Sequence, residues 1–188
     1  MITRVLMILC AGLMSAQAAS AQSLTEDLGG AFTLTDHTGA TRTEADPDGQ
    51  HQLLFFGYAN CQEICSAVFP TMASIVDILE ADGTAIRPVL VTVDPERDTV
   101  DTMAEALHVH HPDFVGLTGT EAELQVAYDA YSVEFEELFV DPFYGTVFSH
   151  GSFIYLLDGE GTVLTLLPPV LGPEMMAQIV SGYLDGAS

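Results

Sequence analysis

A nearly continuous apolar run at residues 52–58 (QLLFFGY) constrains the fold of this chain more than any other segment. A strand without polar alternation is buried on both faces, which is typical of the centre of a parallel sheet. A second such run spans residues 86–93. The segment between them carries apolar residues at helical spacing, which predicts a helix packed on the sheet: Val68, Met72, Ile75, Val76 and Leu79. Strand, helix and strand then form a βαβ unit, the seed of a three-layer α/β domain.

Further segments extend this unit. Residues 32–36 alternate apolar and polar side chains and precede a turn, which predicts an N-terminal hairpin strand. The later elements are a helix from Val100 to about His110, a short segment at residues 114–117, a helix from Glu121 to about Tyr131, strands at residues 153–157 and 163–167, and a closing helix at residues 173–183. This order predicts a three-layer thioredoxin-like α/β fold, a central mixed sheet flanked by helices with an N-terminal hairpin extension.

The N-terminus resembles a targeting segment. Arg4 precedes an apolar stretch at residues 5–14, and small residues follow it, so residues 1–21 predict a secretory signal that also contains Cys10. An uncleaved membrane anchor is the alternative, although the strongly apolar part has only about ten residues against the roughly 20 of a spanning helix. Residues 22–188 are then one domain that works outside the cytoplasm, either free in the periplasm or held at the inner membrane.

The chain is strongly acidic. Four Lys and Arg residues stand against 27 Asp and Glu residues, which gives a formal net charge of −23. Such a surface repels nucleic acid and anionic membranes, so neither is an expected partner. The charge excludes these classes but does not identify a substrate.

The chemistry of the chain centres on Cys61 and Cys65, which directly follow the first apolar run. Residues four apart on a helical turn lie on one face, so the two thiols can close a disulfide or chelate one metal ion. The N-terminus of the following helix favours the thiolate form. A purely stabilising disulfide is the alternative, but a bridge across so short a loop constrains the unfolded chain little.

Two sulfurs leave a metal site incomplete, and His150 is the candidate for the third ligand. It immediately precedes a predicted strand at residues 152–157, at the end of the sheet where the cysteine loop is expected. A Cys₂His set can hold Cu(I) or Cu(II), and it can also bind zinc with an open position. The alternative is an ordinary packed histidine, because nothing local marks this residue.

Two other polar strings favour structural roles. His108, His110 and His111 lie near a predicted helix C-terminus, which suits histidine through the helix dipole better than it indicates a second metal site. In residues 94–98 (DPERD), Arg97 lies between two aspartates and predicts an ion pair that orders the loop. No nucleophile or phosphate-binding loop accompanies this string.

Four strings together resemble the Sco/SenC family over residues 29–184. They are residues 56–65 (FGYANCQEIC), residues 91–98 (VTVDPERD), residues 116–119 (GLTG) and His150. The cysteines have the Cys-x₃-Cys spacing rather than the Cys-x₂-Cys spacing common in thioredoxins. The sequence departs from the family where Gln62 and Ser66 replace the usual prolines after each cysteine.

The resemblance implies a protein that binds one copper ion through Cys61, Cys65 and His150. It implies a copper metallochaperone that delivers copper to, or keeps reduced, the dinuclear copper site of cytochrome c oxidase subunit two, or another copper or dithiol acceptor. The alternative is a thiol-disulfide oxidoreductase, in which Cys61 and Cys65 are catalytic and His150 is unnecessary. A thiol peroxidase fits less well, because no Thr closely precedes Cys61 and the chain has no Arg to spare.

Overall fold

The computed structural model of the protein describes residue 25, residues 27–59 and residues 65–186. The predicted signal at residues 1–21 and the predicted ligand Cys61 lie outside this part of the chain. The described elements, in chain order, are β1 (Leu34–Asp36), β2 (Thr41–Arg42), β3 (His51–Gly57), α1 (Cys65–Ala81), β4 (Ile86–Thr92), α2 (Val100–His108), β5 (Val115–Thr118), α3 (Glu121–Ala130), β6 (Phe135–Asp141), β7 (Gly145–His150), β8 (Ile154–Leu157), β9 (Val163–Leu167) and α4 (Pro173–Gly186). None of these helices is long and apolar enough to span a membrane.

A seven-stranded mixed sheet forms the centre of the fold, in the order β2-β1-β5-β4-β3-β8-β9. Strands β3, β4 and β5 run parallel to one another, whereas β1 and β8 pair with them in the antiparallel sense. The predicted βαβ unit is β3, α1 and β4, and the predicted N-terminal hairpin is β1 and β2. The predicted α/β architecture is therefore confirmed.

Burial of its apolar residues explains why β3 lies in the interior of the sheet. Its residues Leu53, Leu54, Phe55 and Phe56 are all at most 3% exposed. Strand β4 covers one edge along all seven residues, and β8 pairs with the other edge. The apolar stripe predicted for α1 is buried along its whole length, as Val68, Met72, Ile75, Val76 and Leu79. Gln52, the polar residue buried in β3, donates its side-chain N–H to the Glu44 carbonyl at 2.7 Å.

The sheet directs two chain segments to one end. Strand β8 is antiparallel to β3, with Tyr155 opposite Leu54, so the chain enters β8 where β3 ends. The segment that precedes β8 therefore lies at the same end of the sheet as the start of the cysteine loop, as the sequence predicted.

A hairpin of β6 and β7 corrects one part of the sequence prediction. His150 was expected in a loop before a strand at residues 152–157, but it is the last residue of β7, and β8 begins only at Ile154. Strands β6 and β7 form a separate two-stranded sheet with an irregular register between Glu137 and Phe139. This bulge breaks the alternation that marks a strand in sequence.

The three arginines of the described chain all form ion pairs with nearby aspartates. Arg87 Nε lies 2.5 Å from Asp46 Oδ2, and Arg42 Nη2 lies 3.3 Å from the same oxygen. The Asp46 side chain is fully buried, and its other oxygen accepts the backbone N–H groups of Asp48 and Gln50. This carboxylate joins the turn at residues 46–49 to β2 and β4, at the end of the sheet opposite the cysteine loop.

We predict that Asp46→Ala lowers the free energy of unfolding by about 3–5 kcal/mol, because it removes a fully buried carboxylate and leaves two partly buried guanidinium groups without their shared partner. The matched change Asp48→Ala removes a carboxylate that is 67% exposed, and it should cost less than about 1 kcal/mol. Urea unfolding of both variants measures the difference. Equal losses for the two variants would show that Asp46 is not the organising residue of this turn.

Candidate copper site at the end of the central strand

The cysteine loop leaves the sheet from a fixed point. Pairing of β3 with β4 continues past the strand, where Val93 N–H donates to the Gly57 carbonyl at 2.7 Å. Tyr58 is buried, and Ala59 N–H donates to Asp98 Oδ2 at 2.8 Å. The backbone is therefore held in place up to the residue where the described segment ends.

Helix α1 begins at Cys65, so the second cysteine lies at a helix N-terminus as predicted. No acidic residue occupies the first turn of α1. The positive end of the helix dipole therefore acts on this position without a competing carboxylate in that turn, which favours a thiolate. Cys61 and Gln62, with the side chains of Cys65 and Ser66, lie outside the described part of the chain, so the pairing of the two thiols stays a prediction.

The His150 ring lies against the two aromatic residues at the end of β3. Its ring centre is 5.6 Å from that of Phe55 and 5.8 Å from that of Tyr58, in edge-on geometry. Tyr58 is separated from Cys61 by only two residues of sequence. The fold therefore brings the predicted third ligand to the start of the cysteine loop, although 84 residues lie between His150 and Cys65 in the sequence.

A backbone hydrogen bond sets the tautomer of the neutral His150 ring. Nδ1 lies 2.8 Å from the Gly151 carbonyl oxygen, which can only accept a hydrogen bond. In the neutral ring this assigns the proton to Nδ1 and makes Nε2 the nitrogen without a proton. A hydrogen bond of this kind on the opposite nitrogen is the usual arrangement for metal-binding histidines.

Aromatic packing holds the hairpin that carries His150. Phe135 and His150 are register partners, as are Glu137 and Phe148, so these four residues share a face. The Phe148 ring lies 5.6 Å from Tyr58, and the Phe135 ring lies 5.0 Å from Tyr128. The inner face of the hairpin thus packs on the domain core. The sequence analysis missed this packing, although two phenylalanines on either side of a turn with Pro and Gly are a usable hairpin signal.

The hairpin also borders a surface hollow. Glu134, Phe135, Glu136, Ser149 and His150 line it.

The loop at residues 94–98 contains the predicted ion pair and a second, buried carboxylate. Arg97 Nε donates to Asp94 Oδ2 at 2.8 Å, which confirms the predicted pairing. Asp98 is 1% exposed, and its Oδ2 accepts hydrogen bonds from Ala59 N–H and from the Thr92 hydroxyl at 2.7 Å. Burial raises the pKa of Asp98 to about 6, against the opposing effect of these two hydrogen bonds. The sequence analysis did not identify the contact with Ala59.

Three other histidines pack on neighbouring rings. The His37 and His108 rings meet edge-on at 5.1 Å, and the His110 ring packs on Phe69 at 5.3 Å. Burial lowers the pKa of both His37 and His110.

His111 lies near Glu80 and Asp113, with one ligand atom of each within 4.8 Å of the others. Its Nδ1 accepts from Asp113 N–H at 3.2 Å, and its Nε2 is 3.5 Å from Asp77 Oδ1. An accepting Nδ1 places the ring proton on Nε2, where it faces Asp77. Both ring nitrogens therefore already have partners, which fits a structural role better than a second metal site.

Comparison with known proteins identifies the family. A family model described as SCO1/SenC matches residues 20–185, which is most of the sequence. The chain belongs to the SCO1/SenC family. The SCO2-like protein of Rickettsia felis is 36% identical over 158 residues, which cover 82% of this chain and 76% of that protein. Protein SenC of Rhodobacter capsulatus is 34% identical over 164 residues, which cover 87% and 73% respectively.

Solved structures of SCO1/SenC proteins share the fold. The crystal structure of Arabidopsis thaliana ScoI with copper bound matches with a TM-score of 0.78 at 27% identity, and the match covers 85% of this chain and 99% of that one. The thioredoxin-like architecture predicted from the sequence is confirmed by this likeness. That relative was crystallised with copper bound.

We predict a pH dependence of stability that Asp98 causes. Its pKa is about 6 in the folded protein and 3.8 ordinarily, so the folded state binds the extra proton between these values. The stabilising contribution is complete below pH 3.8 and is lost as the pH rises through about 6. Between pH 4 and pH 7, the unfolding free energy of wild type should fall relative to Asp98→Asn by up to about 3 kcal/mol.

Urea unfolding over this pH range measures the difference, with the exposed carboxylate variant Asp82→Asn as the control that should follow wild type. A constant difference between wild type and Asp98→Asn would mean that the folded state does not hold this proton.

Proposed function

We propose that this protein is a copper metallochaperone that binds one copper ion through Cys61, Cys65 and His150. It delivers the ion to the dinuclear copper site of cytochrome c oxidase subunit two, or it keeps the cysteines of that site reduced. The observation that carries the proposal is the position of His150, whose ring packs on Phe55 and Tyr58 where β3 leads into the cysteine loop.

The donor set supports copper over harder cations. Two thiolates and a neutral imidazole are soft ligands that suit Cu(I), and they also bind Cu(II) or zinc. Membership of the SCO1/SenC family and the likeness to a copper-bound relative favour copper among these. We propose transfer by ligand exchange, in which thiolates of the acceptor replace the ligands of this protein one after another while the copper ion stays coordinated.

The second candidate function is thiol-disulfide exchange with the acceptor. It is favoured by the thioredoxin-like fold and by the position of Cys65 at the N-terminus of α1. One thiolate attacks the acceptor disulfide, breaks its S–S bond and forms a mixed disulfide with release of one acceptor thiolate. The other thiolate then closes the Cys61–Cys65 disulfide and releases the second, so two electrons pass to the acceptor. Copper binding requires the reduced pair, so both functions can operate in one protein.

We propose that residues 1–21 direct the domain at residues 22–188 out of the cytoplasm, into the periplasm or a comparable compartment. The segment is either cleaved or retained as an anchor in the inner membrane. The apolar stretch after Arg4 and the small residues that follow support an export signal.

We predict that the reduced protein binds one equivalent of copper and that Cys61→Ala or Cys65→Ala abolishes this binding. His150→Ala should still bind copper weakly through the two thiolates. Loss of a hydrogen bond that only supports a ligand lowers metal affinity tenfold to hundredfold, and loss of the ligand itself should lower it by more. Competition with a Cu(I) chelator measures the affinity. The control is His51→Ala, at the opposite end of β3. If His150→Ala binds copper as tightly as His51→Ala, the three-ligand site is wrong.

We predict that any disulfide exchange activity depends on both cysteines but not on His150. Reduction of the disulfide in a purified copper-site domain of oxidase subunit two should persist in His150→Ala and stop in Cys61→Ser and Cys65→Ser. Free-thiol titration of the acceptor measures the reaction. Activity that survives in either cysteine variant would contradict a two-thiol mechanism.

A further inference from the structure

The loop at residues 94–98, between β4 and α2, contacts both segments that carry the proposed ligands. Its backbone is a tight turn, in which the N–H groups of Arg97 and Asp98 donate to the Asp94 carbonyl at 3.2 and 2.9 Å. The side chains of Arg97 and Asp98 extend from this turn to different partners. The loop is thus a single short element with two separate attachments.

Asp98 attaches the loop to the start of the cysteine segment. Its buried Oδ2 accepts from Ala59 N–H at 2.8 Å and from the Thr92 hydroxyl at 2.7 Å. Thr92 is the last residue of β4, and its hydroxyl also accepts from Asp94 N–H at 2.9 Å. Asp98 therefore fixes the exit of β3 relative to the exit of β4, just before the chain reaches the first cysteine.

Arg97 attaches the same loop to the hairpin that ends in His150. Its Nη2 donates to the Thr146 carbonyl at 2.7 Å, while its Nε is held by Asp94. Gly145 lies directly beneath the guanidinium, so a Cβ at this position would overlap Arg97 Nη1. The positive φ of +74° at Gly145 adds a second reason for glycine. The guanidinium is therefore seated on the backbone at the start of β7.

We propose that Arg97 and Asp98 are positioning residues that set the placement of His150 relative to the cysteine loop. This inference rests on the proposed three-ligand copper site. Arg97 acts on the imidazole through β7, about 13 Å of extended strand at roughly 3.3 Å per residue. Asp98 acts on the dithiol through the backbone at Ala59.

Supporting hydrogen bonds of this kind reduce the reorganisation that a metal ion must impose on its ligands. Loss of one such partner typically lowers metal affinity tenfold to hundredfold. The position of each attachment predicts which ligand is affected. Without Arg97, the hairpin keeps its aromatic contacts but loses the polar tie at its far end. Without Asp98, the Ala59 N–H group before Cys61 loses the carboxylate that accepts its hydrogen bond.

A double-mutant cycle tests the role of Arg97. Copper affinity is measured by chelator competition for wild type, Arg97→Ala, His150→Ala and the double variant. We expect Arg97→Ala to weaken binding about tenfold in the wild-type background and not at all in the His150→Ala background. Arg87→Ala is the matched control, because it breaks a comparable ion pair at the opposite end of the sheet and should leave copper affinity unchanged.

Asp98 requires a different comparison, because it acts through the dithiol. We expect Asp98→Ala to weaken copper binding about tenfold both with and without His150, and to shift the midpoint potential of the Cys61–Cys65 pair. Asp98→Asn keeps an oxygen that can accept from Ala59 N–H and Thr92, so it should restore both readouts to near the wild-type values. Circular dichroism confirms that each variant is folded, and Arg97→Gln replaces Arg97→Ala in the cycle if the alanine variant does not fold.

The outcomes separate this inference from the proposed function. Additive effects of Arg97 and His150 would overturn the role of Arg97, and an Asp98→Asn variant as impaired as Asp98→Ala would overturn that of Asp98. A wild-type protein that binds no copper would overturn the proposed function itself. If wild type binds copper and the effects of Arg97→Ala and His150→Ala are additive, the proposed function stands and only the positioning role of Arg97 is rejected.

Discussion

Burial of β3 on both faces, with β4 along one whole edge and β8 along Gln52 to Leu54 of the other, is the constraint on which the rest of this structure depends. A strand so enclosed cannot shift its register, or bury a polar side chain that lacks a hydrogen-bond partner, without a large cost in desolvation. Its carboxyl end is therefore a fixed reference point in the molecule. The cysteine segment departs from that end, and the aromatic rings of Phe55 and Tyr58 there receive the imidazole of His150.

Two chain segments outside the seven-stranded sheet lie close to this end of β3. One is the cysteine segment that leads into α1, and the other is the β6–β7 hairpin that ends in His150. Neither is part of the seven-stranded sheet, so each depends on specific contacts for its position. The loop at residues 94–98 supplies a polar contact to both, through Asp98 and Arg97. The chain has 27 acidic residues and only four Lys and Arg residues, and one of these few cations, Arg97, holds the hairpin.

The sequence predicted the elements whose signal is local. The apolar run of β3, the helical stripe of α1 and the ion pair of Arg97 follow from composition over a few residues, and all three are found. The β6–β7 hairpin was not predicted from the sequence. It exposes apolar residues such as Leu138 and Phe139, and it has a bulge between Glu137 and Phe139. Periodicity is lost at such a place, and His150 was consequently assigned to a loop.

The contact between Asp98 and Ala59 was beyond sequence analysis for a different reason. It joins residues 39 positions apart through a backbone N–H group, which has no side-chain signature. The position of His150 before a predicted strand made it a ligand candidate and the family resemblance agreed, but neither gave an account of how the residue is held. The structure adds that account, with the Gly151 carbonyl, two aromatic rings and a strand attached by Arg97.

X-ray absorption spectroscopy of the copper-loaded protein tests the central claim most directly, because it reports the atoms that surround the copper ion. The account predicts a first coordination shell of two sulfur atoms and one nitrogen atom in wild type. The nitrogen contribution should disappear in His150→Ala, while both sulfurs remain. A wild-type shell without sulfur, or a nitrogen contribution that is unchanged in His150→Ala, would contradict the copper site described for this protein.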